Sequence, residues 1–297
     1  MRRPLVTIGL PFRNPGRWLE EAIRSVFAQT YQEWELLLVD DGSDDGSTER
    51  AARIKDSRVR LLCDGMHRGL VARLNQITQL ASGEYLARMD ADDLMHPERL
   101  QRQVAILEQQ SEVDIVATAA IVLDITGEPV GYWDFAQHAS GPRGLIGALK
   151  WGAVIHPTIT GRRHWFLAHP YDQRYPRAED RELFVRTWNQ TCIRHVSDPL
   201  YFYRFVGGVR MQAFLESYRS ERKILLRYAP DRLGWMPTLG LYLRSLGKSV
   251  TLRVLAGLRQ HQRLFARKGV PLTTEQRAAA SRILAQIRKT SVPGWTD

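Results

Sequence analysis

Apolar positions along the first 125 residues follow two periods that alternate. Leu5-Val6-Thr7-Ile8-Gly9-Leu10 is a β-prone run, and after the turn-forming stretch Pro11 to Gly16 the residues Leu19, Ala22, Ile23, Val26 and Phe27 return at the spacing of one helix face. Glu35-Leu36-Leu37-Leu38-Val39 is again nearly unbroken and closes on Asp40-Asp41-Gly42-Ser43, the pattern of a strand buried on both faces with polar groups at its carboxyl end. Ser47 ahead of Glu49-Arg50-Ala51-Ala52 predicts a capped helix, and Val59-Arg60-Leu61-Leu62 a third strand before the loop His67-Arg68-Gly69. Leu70 to Leu80 carries helical spacing ended by Ser82-Gly83, and Tyr85 to Met89 runs as a strand into Asp90. Pro97 opens a helix through Leu107, and Asp114 to Leu123 is a further strand. From about 130 to 205 the pattern is irregular; helical spacing resumes over Met211 to Tyr228.

This β-α alternation predicts an α/β fold with a mostly parallel central sheet flanked by helices, in which ligands sit outside the carboxyl ends of the strands. Asp40, Asp41, Asp90, Asp92 and Asp93 fall at that edge. Carboxylates gathered at one edge repel each other, and a divalent cation such as Mg²⁺ or Mn²⁺, which prefers oxygen ligands, relieves the repulsion. If strand geometry persists past residue 89, Asp90 and Asp92 point to one side and Asp93 to the other. An Asp-rich turn ahead of Pro97 explains the same residues without a metal, and Asp40-Asp41-Gly42-Ser43 also reads as a plain polar stop.

The 297 residues, 44% apolar and 25% charged, describe an ordinary globular chain. Only Cys63 and Cys192 are present, without metal-ligand spacing, which points to a reducing compartment. The apolar run at Leu5 to Leu10 is too short for a signal-peptide core, so a cytoplasmic location is expected. The formal charge of +10 is uneven: residues 209 to 297 hold 17 Lys/Arg against 5 Asp/Glu, and residues 1 to 208 hold 25 against 27. Arg219, Arg222, Lys223 and Arg227, and farther on Arg259, Arg263, Arg267 and Lys268, form basic sets. Residues 235 to 258 are apolar but interrupted by Arg244, Lys248 and Arg253, which favours an interfacial amphipathic segment over a span. Two expectations stand for this tail. It docks on the inner face of an anionic membrane through Trp235, Leu239, Leu241, Tyr242 and Leu246, or it is a solvated appendage with its apolar face against the main body.

Several motifs in one order carry a family resemblance: Pro11-Phe12-Arg13-Asn14, Ser25 to Tyr31, Leu38-Val39-Asp40-Asp41-Gly42-Ser43, Gly69-Leu70 with Leu74-Asn75, Ala81-Ser82-Gly83-Glu84-Tyr85, and Met89-Asp90-Ala91-Asp92-Asp93 with Pro97-Glu98-Arg99. The run from Val6 to Leu107 resembles the nucleotide-sugar-binding half of the inverting family 2 glycosyltransferases, with a looser likeness to about residue 205. The resemblance implies a GT-A fold over residues 1–208, with a donor half at 1–110 and an acceptor half at 111–208; the tail at 209–297 lies outside it and is read from its charge and helical spacing as a basic helical extension. It implies that Pro11 lines the base pocket, Asp41 contacts the nucleobase, Asp40 supports that turn and Asp90 lies near the ribose. Asp92, and less directly Asp93, would bind Mg²⁺ or Mn²⁺ bridging the donor diphosphate. Arg73 either assists near the nucleotide or is an exposed helix arginine.

Arg177-Ala178-Glu179-Asp180 resembles the family's ED motif, which makes Asp180 the expected general base and Glu179 its neighbour that orients basic groups or the acceptor. Without the family the same pair reads as an acidic helix start. His156, in His156-Pro157-Thr158, is expected either in the acceptor or diphosphate pocket or hydrogen-bonded in the core. The implied partners are a UDP-, GDP- or TDP-sugar and a saccharide or lipid-linked acceptor, and no nucleic acid. A sugar-nucleotide nucleotidyltransferase is the nearest rival, but Pro11 to Gly16 lacks the repeated glycines such enzymes place after the first strand. A non-catalytic nucleotide-sugar-binding or membrane scaffold is a third reading, opposed by the retention of Asp92 and Asp180.

Overall fold

The computed structural model describes residues 3–135, 144–205, 211–257 and 269–295. The first seven elements follow in the predicted order: β1 (Val6–Phe12), α1 (Trp18–Phe27), β2 (Trp34–Asp40), α2 (Ser47–Ala52), β3 (Val59–Leu62), α3 (Leu70–Leu80) and β4 (Tyr85–Arg88). β1 pairs in parallel with β2 and β4, and β2 with β3. Successive residues of β2 enter opposite faces of the sheet. Leu36 and Leu38 join a core beneath α1 and α4, whereas Leu37 and Val39 join a second core beneath α3. Burial on both faces is why these strands read as unbroken apolar runs. Gly9 allows α3 to lie close, since a Cβ there would meet Ile77 Cγ2 at 2.5 Å.

The chain continues through β5 (Leu94–Met95), α4 (Arg99–Gln109), β6 (Ile115–Leu123), β7 (Pro129–Trp133), α5 (Gly144–Trp151), a one-turn 3-10 helix at His156–Thr158, β8 (Thr160–Arg162), α6 (Arg163–Ala168), α7 (Glu179–Arg186) and β9 (Ile193–Arg204). The main sheet path runs β10-β7-β6-β8-β4-β1-β2-β3, with β8 antiparallel between β4 and β6. β9 pairs with β6 in parallel and with β5 antiparallel. The stretch expected to be irregular thus contains a strand of 12 residues. Its register on β6 shifts on either side of Ala119, where Ser197-Asp198-Pro199 breaks the alternation.

Two local expectations need correction. α2 is capped not by Ser47 but by Gly46 in the left-handed region, with the Ser47 N–H donating to Asp45 Oδ1 at 3.0 Å. α4 begins at Arg99 rather than Pro97.

The remaining elements are α8 (Met211–Leu233), α9 (Trp235–Gly257), β10 (Val270–Pro271) and α10 (Thr274–Arg288). α8 packs on α5 and α7, and α9 folds back along α8. α10, opened by a Thr273/Gln276 capping box, packs on α1. Beyond it the Lys55 N–H donates to the Pro293 carbonyl at 2.7 Å and Trp295 Nε1–H to the Arg50 carbonyl at 3.0 Å. The tail therefore closes on α1 and α2.

Among the described residues no helix is long and apolar enough to cross a membrane. Leu241 is buried and Tyr242 half-buried, while Trp235, Leu239 and Leu246 are exposed, so only part of the expected interfacial set faces outward. Arg222 also turns inward and donates to Ser249 Oγ at 2.9 Å. Arg259, Arg263, Arg267 and Lys268 lie outside the described residues.

Candidate active site

Parallel pairing of β1 with β2 sets Pro11 beside Val39 and Phe12 beside Asp40. The Asp41 N–H donates to the Phe12 carbonyl at 2.8 Å. Asp40 braces the following turn by accepting the Ser43 N–H at 3.0 Å. Asp41 accepts the N–H groups of Arg68 (2.7 Å) and Gly69 (3.1 Å) and Arg73 Nε–H (2.9 Å), and His67 Nδ1 lies 2.7 Å away. Burial opposes charge on Asp41, yet the Arg68 N–H, Arg73 and His67 outweigh it and hold the carboxyl below its ordinary range. Arg73 is 1% exposed and also meets Asp64 at 2.7 Å, so it is not an exposed helix arginine. Its structural part is to tie the 64–69 loop to the end of β2.

Strand geometry does not persist beyond Arg88. Asp90 to Asp93 form a turn in which the Asp93 N–H approaches the Asp90 carbonyl at 3.4 Å. The turn cancels the alternation expected of a strand, and one carboxylate oxygen from each of Asp90, Asp92 and Asp93 lies within 4.8 Å of the others. β9 supplies the wall: the Arg204 N–H donates to Asp93 at 2.6 Å, Arg204 Nε–H to the Asp92 carbonyl at 2.8 Å, and Tyr201 Oη accepts the Asp90 N–H at 3.2 Å. Arg88 meets Asp90 at 2.8 Å.

Burial, then the charge of Asp90, pushes Asp92 up to about 6. Burial, then Asp92 and Asp90, raises Asp93 well above its ordinary value. Asp93 Oδ2 is buried without a hydrogen-bond partner. Carboxyls packed against their own charge, one with an orphaned oxygen, form a donor set suited to a hard divalent cation.

The third group comes from the start of α7, where Ala178 precedes the helix and Arg177 has φ +58°. Glu179 is buried, with Oε1 4.0 Å from His156 Nδ1. His156 Nε2 is 2.8 Å from Tyr171 Oη. Burial, then the neighbouring Asp180 charge, pushes Glu179 up to about 7. Burial, then Arg88, drives His156 well below its ordinary value, which leaves a neutral imidazole. His156 is thus hydrogen-bonded in the interior and next to the acidic pair at once. The fields of Arg88 and Asp90 act on Glu179, so the β4 turn and the start of α7 share one electrostatic site. A cleft of about 580 Å³ joins His67, Gly69 and Leu70 on the Asp41 side to Arg177, Glu179 and Glu216 on the other. A larger cavity, about 790 Å³, lies between α10 and the β5–β9 ladder and holds none of these groups.

The family model for glycosyl transferase family 2 matches residues 7–167, from β1 through most of α6. The chain belongs to glycosyl transferase family 2. Among its relatives, EpsE of Bacillus subtilis (strain 168) is 39% identical over 128 residues, 42% of this chain and 46% of that one. The UDP-Glc:alpha-D-GlcNAc-diphosphoundecaprenol beta-1,3-glucosyltransferase WfgD of Escherichia coli is 34% identical over 103 residues, 35% of this chain and 41% of that one. The chain therefore spans less than half the length of either. The crystal structure of residues 1-349 of S. aureus TarS in complex with UDP-GlcNAc superposes with a TM-score of 0.60 at 18% identity, covering 82% of this chain and 71% of that one. The fold of this family 2 chain is that of GT-A glycosyltransferases such as TarS.

Arg88, Tyr171, Tyr201 and Arg204 line the same site and are not marked by the motifs. Arg88 carried a signal, a charged residue inside an otherwise apolar strand. Tyr201 and Arg204 carried none, because 111 residues separate them from the aspartates they contact.

Proposed function

We propose that this protein is an inverting glycosyltransferase that moves a sugar from a nucleoside-diphosphate donor to a hydroxyl of a saccharide or lipid-linked acceptor, with Mg²⁺ or Mn²⁺ held by Asp92, Asp93 and Asp90. The observation that carries the reading is the convergence of these three carboxylates in one turn, within the electrostatic reach of the Glu179-Asp180 pair. A bound divalent ion supplies Lewis-acid stabilisation of the departing diphosphate.

This chain's residues do the rest. Pro11 and the Asp40-Asp41 turn form the donor base platform, kept rigid by Arg73. Asp180 takes the proton of the acceptor hydroxyl as its oxygen bonds to the anomeric carbon and the bond from that carbon to the diphosphate oxygen breaks. Glu179, Arg88 and His156 orient the groups around that step. The UDP-GlcNAc carried by TarS supports a uridine donor as the first to try, and the WfgD name supports a lipid-linked acceptor.

The nucleotidyltransferase alternative needs free N–H groups after β1. Here the Asn14 and Gly16 N–H groups are taken by Ser43 Oγ (3.0 Å) and Asp45 (2.7 Å).

A panel of UDP-, GDP- and TDP-sugars, scored by released nucleotide with added metal and with chelator, tests the proposal. Turnover with at least one donor that stops in chelator is expected. Full turnover in chelator overturns the metal assignment, and conversion of the donor to nucleoside triphosphate and sugar 1-phosphate that requires added pyrophosphate, with no nucleoside diphosphate released, overturns the reaction class.

A further inference from the structure

α9 carries apolar side chains on its outer face. Its face against α8 buries Thr238, Ser245 and Ser249 at 1%, 0% and 1% exposure. Its open face presents Met236 (83%), Leu239 (53%), Leu243 (55%), Leu246 (40%), Val250 (50%) and Val254 (55%). The steps between these positions are three or four residues, so they form one continuous stripe along a helix of 23 residues, about 34 Å long. Gly240 and Gly247 on the same helix open onto empty space, and Trp235 stands exposed at its start. Leu241 and Leu252 are buried on the inner face beside these small polar residues, but a helix meant for water keeps its outer face polar; here the outer face is an unbroken apolar stripe, and a stripe of this size marks a contact surface.

The charge around the stripe identifies the contact. α9 contains no Asp or Glu, and Arg253 is exposed on it. On α8, the helix it packs against, Arg219, Lys223 and Arg227 are exposed at successive four-residue steps. Lys248, by contrast, is committed inward to Glu221 at 3.3 Å. A second copy of this chain would bring two tails of surplus positive charge together, and the repulsion disfavours it. A lipid surface that is apolar beneath and anionic above satisfies both features.

We propose that the α8–α9 hairpin is a monotopic docking surface for an anionic bilayer, with the α9 stripe lying in the interface and the α8 cations on the headgroups. The helix lies along the surface and does not cross it. The inference is independent of the transfer chemistry, because its readout is partition onto lipid alone.

Flotation of the full chain with vesicles of phosphatidylcholine, with and without phosphatidylglycerol, tests it. The chain should float with the anionic vesicles at low salt and less in high salt. Leu239→Ser/Leu243→Ser/Val250→Ser should lower the partition about ten-fold or more. Lys223→Gln/Arg227→Gln, which leaves the stripe intact, should lower it about ten-fold at low salt. Circular dichroism should show both variants as helical as the parent. Absence of flotation on anionic vesicles at low salt overturns the proposal, as does flotation of the triple serine variant equal to that of the parent. A lipid-free oligomer that the triple serine variant turns into monomer would assign the stripe to a second copy and overturn it as well.

Discussion

The guanidinium of Arg88 lies 2.8 Å from the carboxylate of Asp90, at the point where β4 gives way to the acidic turn. Burial works against the arginine's charge, and Asp90 more than restores it. This cation partly offsets three converging carboxylates, so Arg88→Ala should lower the unfolding free energy by about 3 kcal/mol. Saturating Mn²⁺ should recover part of the loss, because the ion supplies positive charge to the same turn. Urea unfolding with and without Mn²⁺ measures both; an unchanged midpoint would contradict the role given to Arg88.

Metal binding should depend on pH in a definite direction. The folded-state value of Asp92, about 6, lies above its ordinary 3.8, and Asp93 shifts the same way. In the metal-free protein the contribution of Asp92 to stability is fully present below the ordinary carboxylate value and is lost as pH rises through about 6, and Asp93 acts in the same sense. A divalent ion needs the ionised forms and removes the penalty that ionisation brings. The thermal midpoint gained on adding Mn²⁺ should therefore be larger at about pH 7.5 than at about pH 5. Equal gains at both would argue against an ion among these aspartates.

The β1 to β4 region was legible because β1, β2 and β4 are buried on both faces and β2 and β4 lead into carboxylates, two signals that local sequence carries. The acidic turn was legible as an Asp-rich turn ahead of Pro97, but nothing local says that this turn gathers Asp93 with Asp90 and Asp92. β9 was hidden by Ser197-Asp198-Pro199 and its shifted register on β6. With it were hidden Tyr201 and Arg204, whose part in the site exists only once β9 lies beside β5 and β6. Leu241 fits either face of a helix by hydrophobicity alone, and only the packing of α9 on α8 shows that it points inward.

Removing the proposed base should separate chemistry from binding. Asp180→Asn should lower kcat by about 10²–10⁴-fold. Nucleotide affinity, measured by calorimetry, should stay close to that of the parent, since Asp41 and the acidic turn are untouched. Comparable turnover in the variant would move the role of base to another group.

Glu179 offers a test that needs no substrate. Its folded-state value of about 7 lies above the ordinary 4.5, so its stabilising contribution is present below pH 4.5 and fades as pH rises through about 7. Glu179→Gln, neutral at every pH, should be more stable than the parent at about pH 8 by roughly 2–3 kcal/mol. Near pH 4 the two should be alike. Chemical denaturation in chelator at the two pH values decides it, and a variant less stable at the higher pH would mean that an ionised Glu179 is well solvated or paired.

The return of the chain at Trp295 to Arg50, 245 residues earlier, has a consequence for the order of assembly. A ribosome making this protein releases β1 to β4, with their helices, long before α10 and the segment after it exist. The patch of α1 and α2 that Val292 and Trp295 cover must stay open to water throughout that interval. The β1 to β4 region can therefore collapse early, but it is sealed only when Val292 to Trp295 emerge, which makes that segment a latch on the molecule during synthesis.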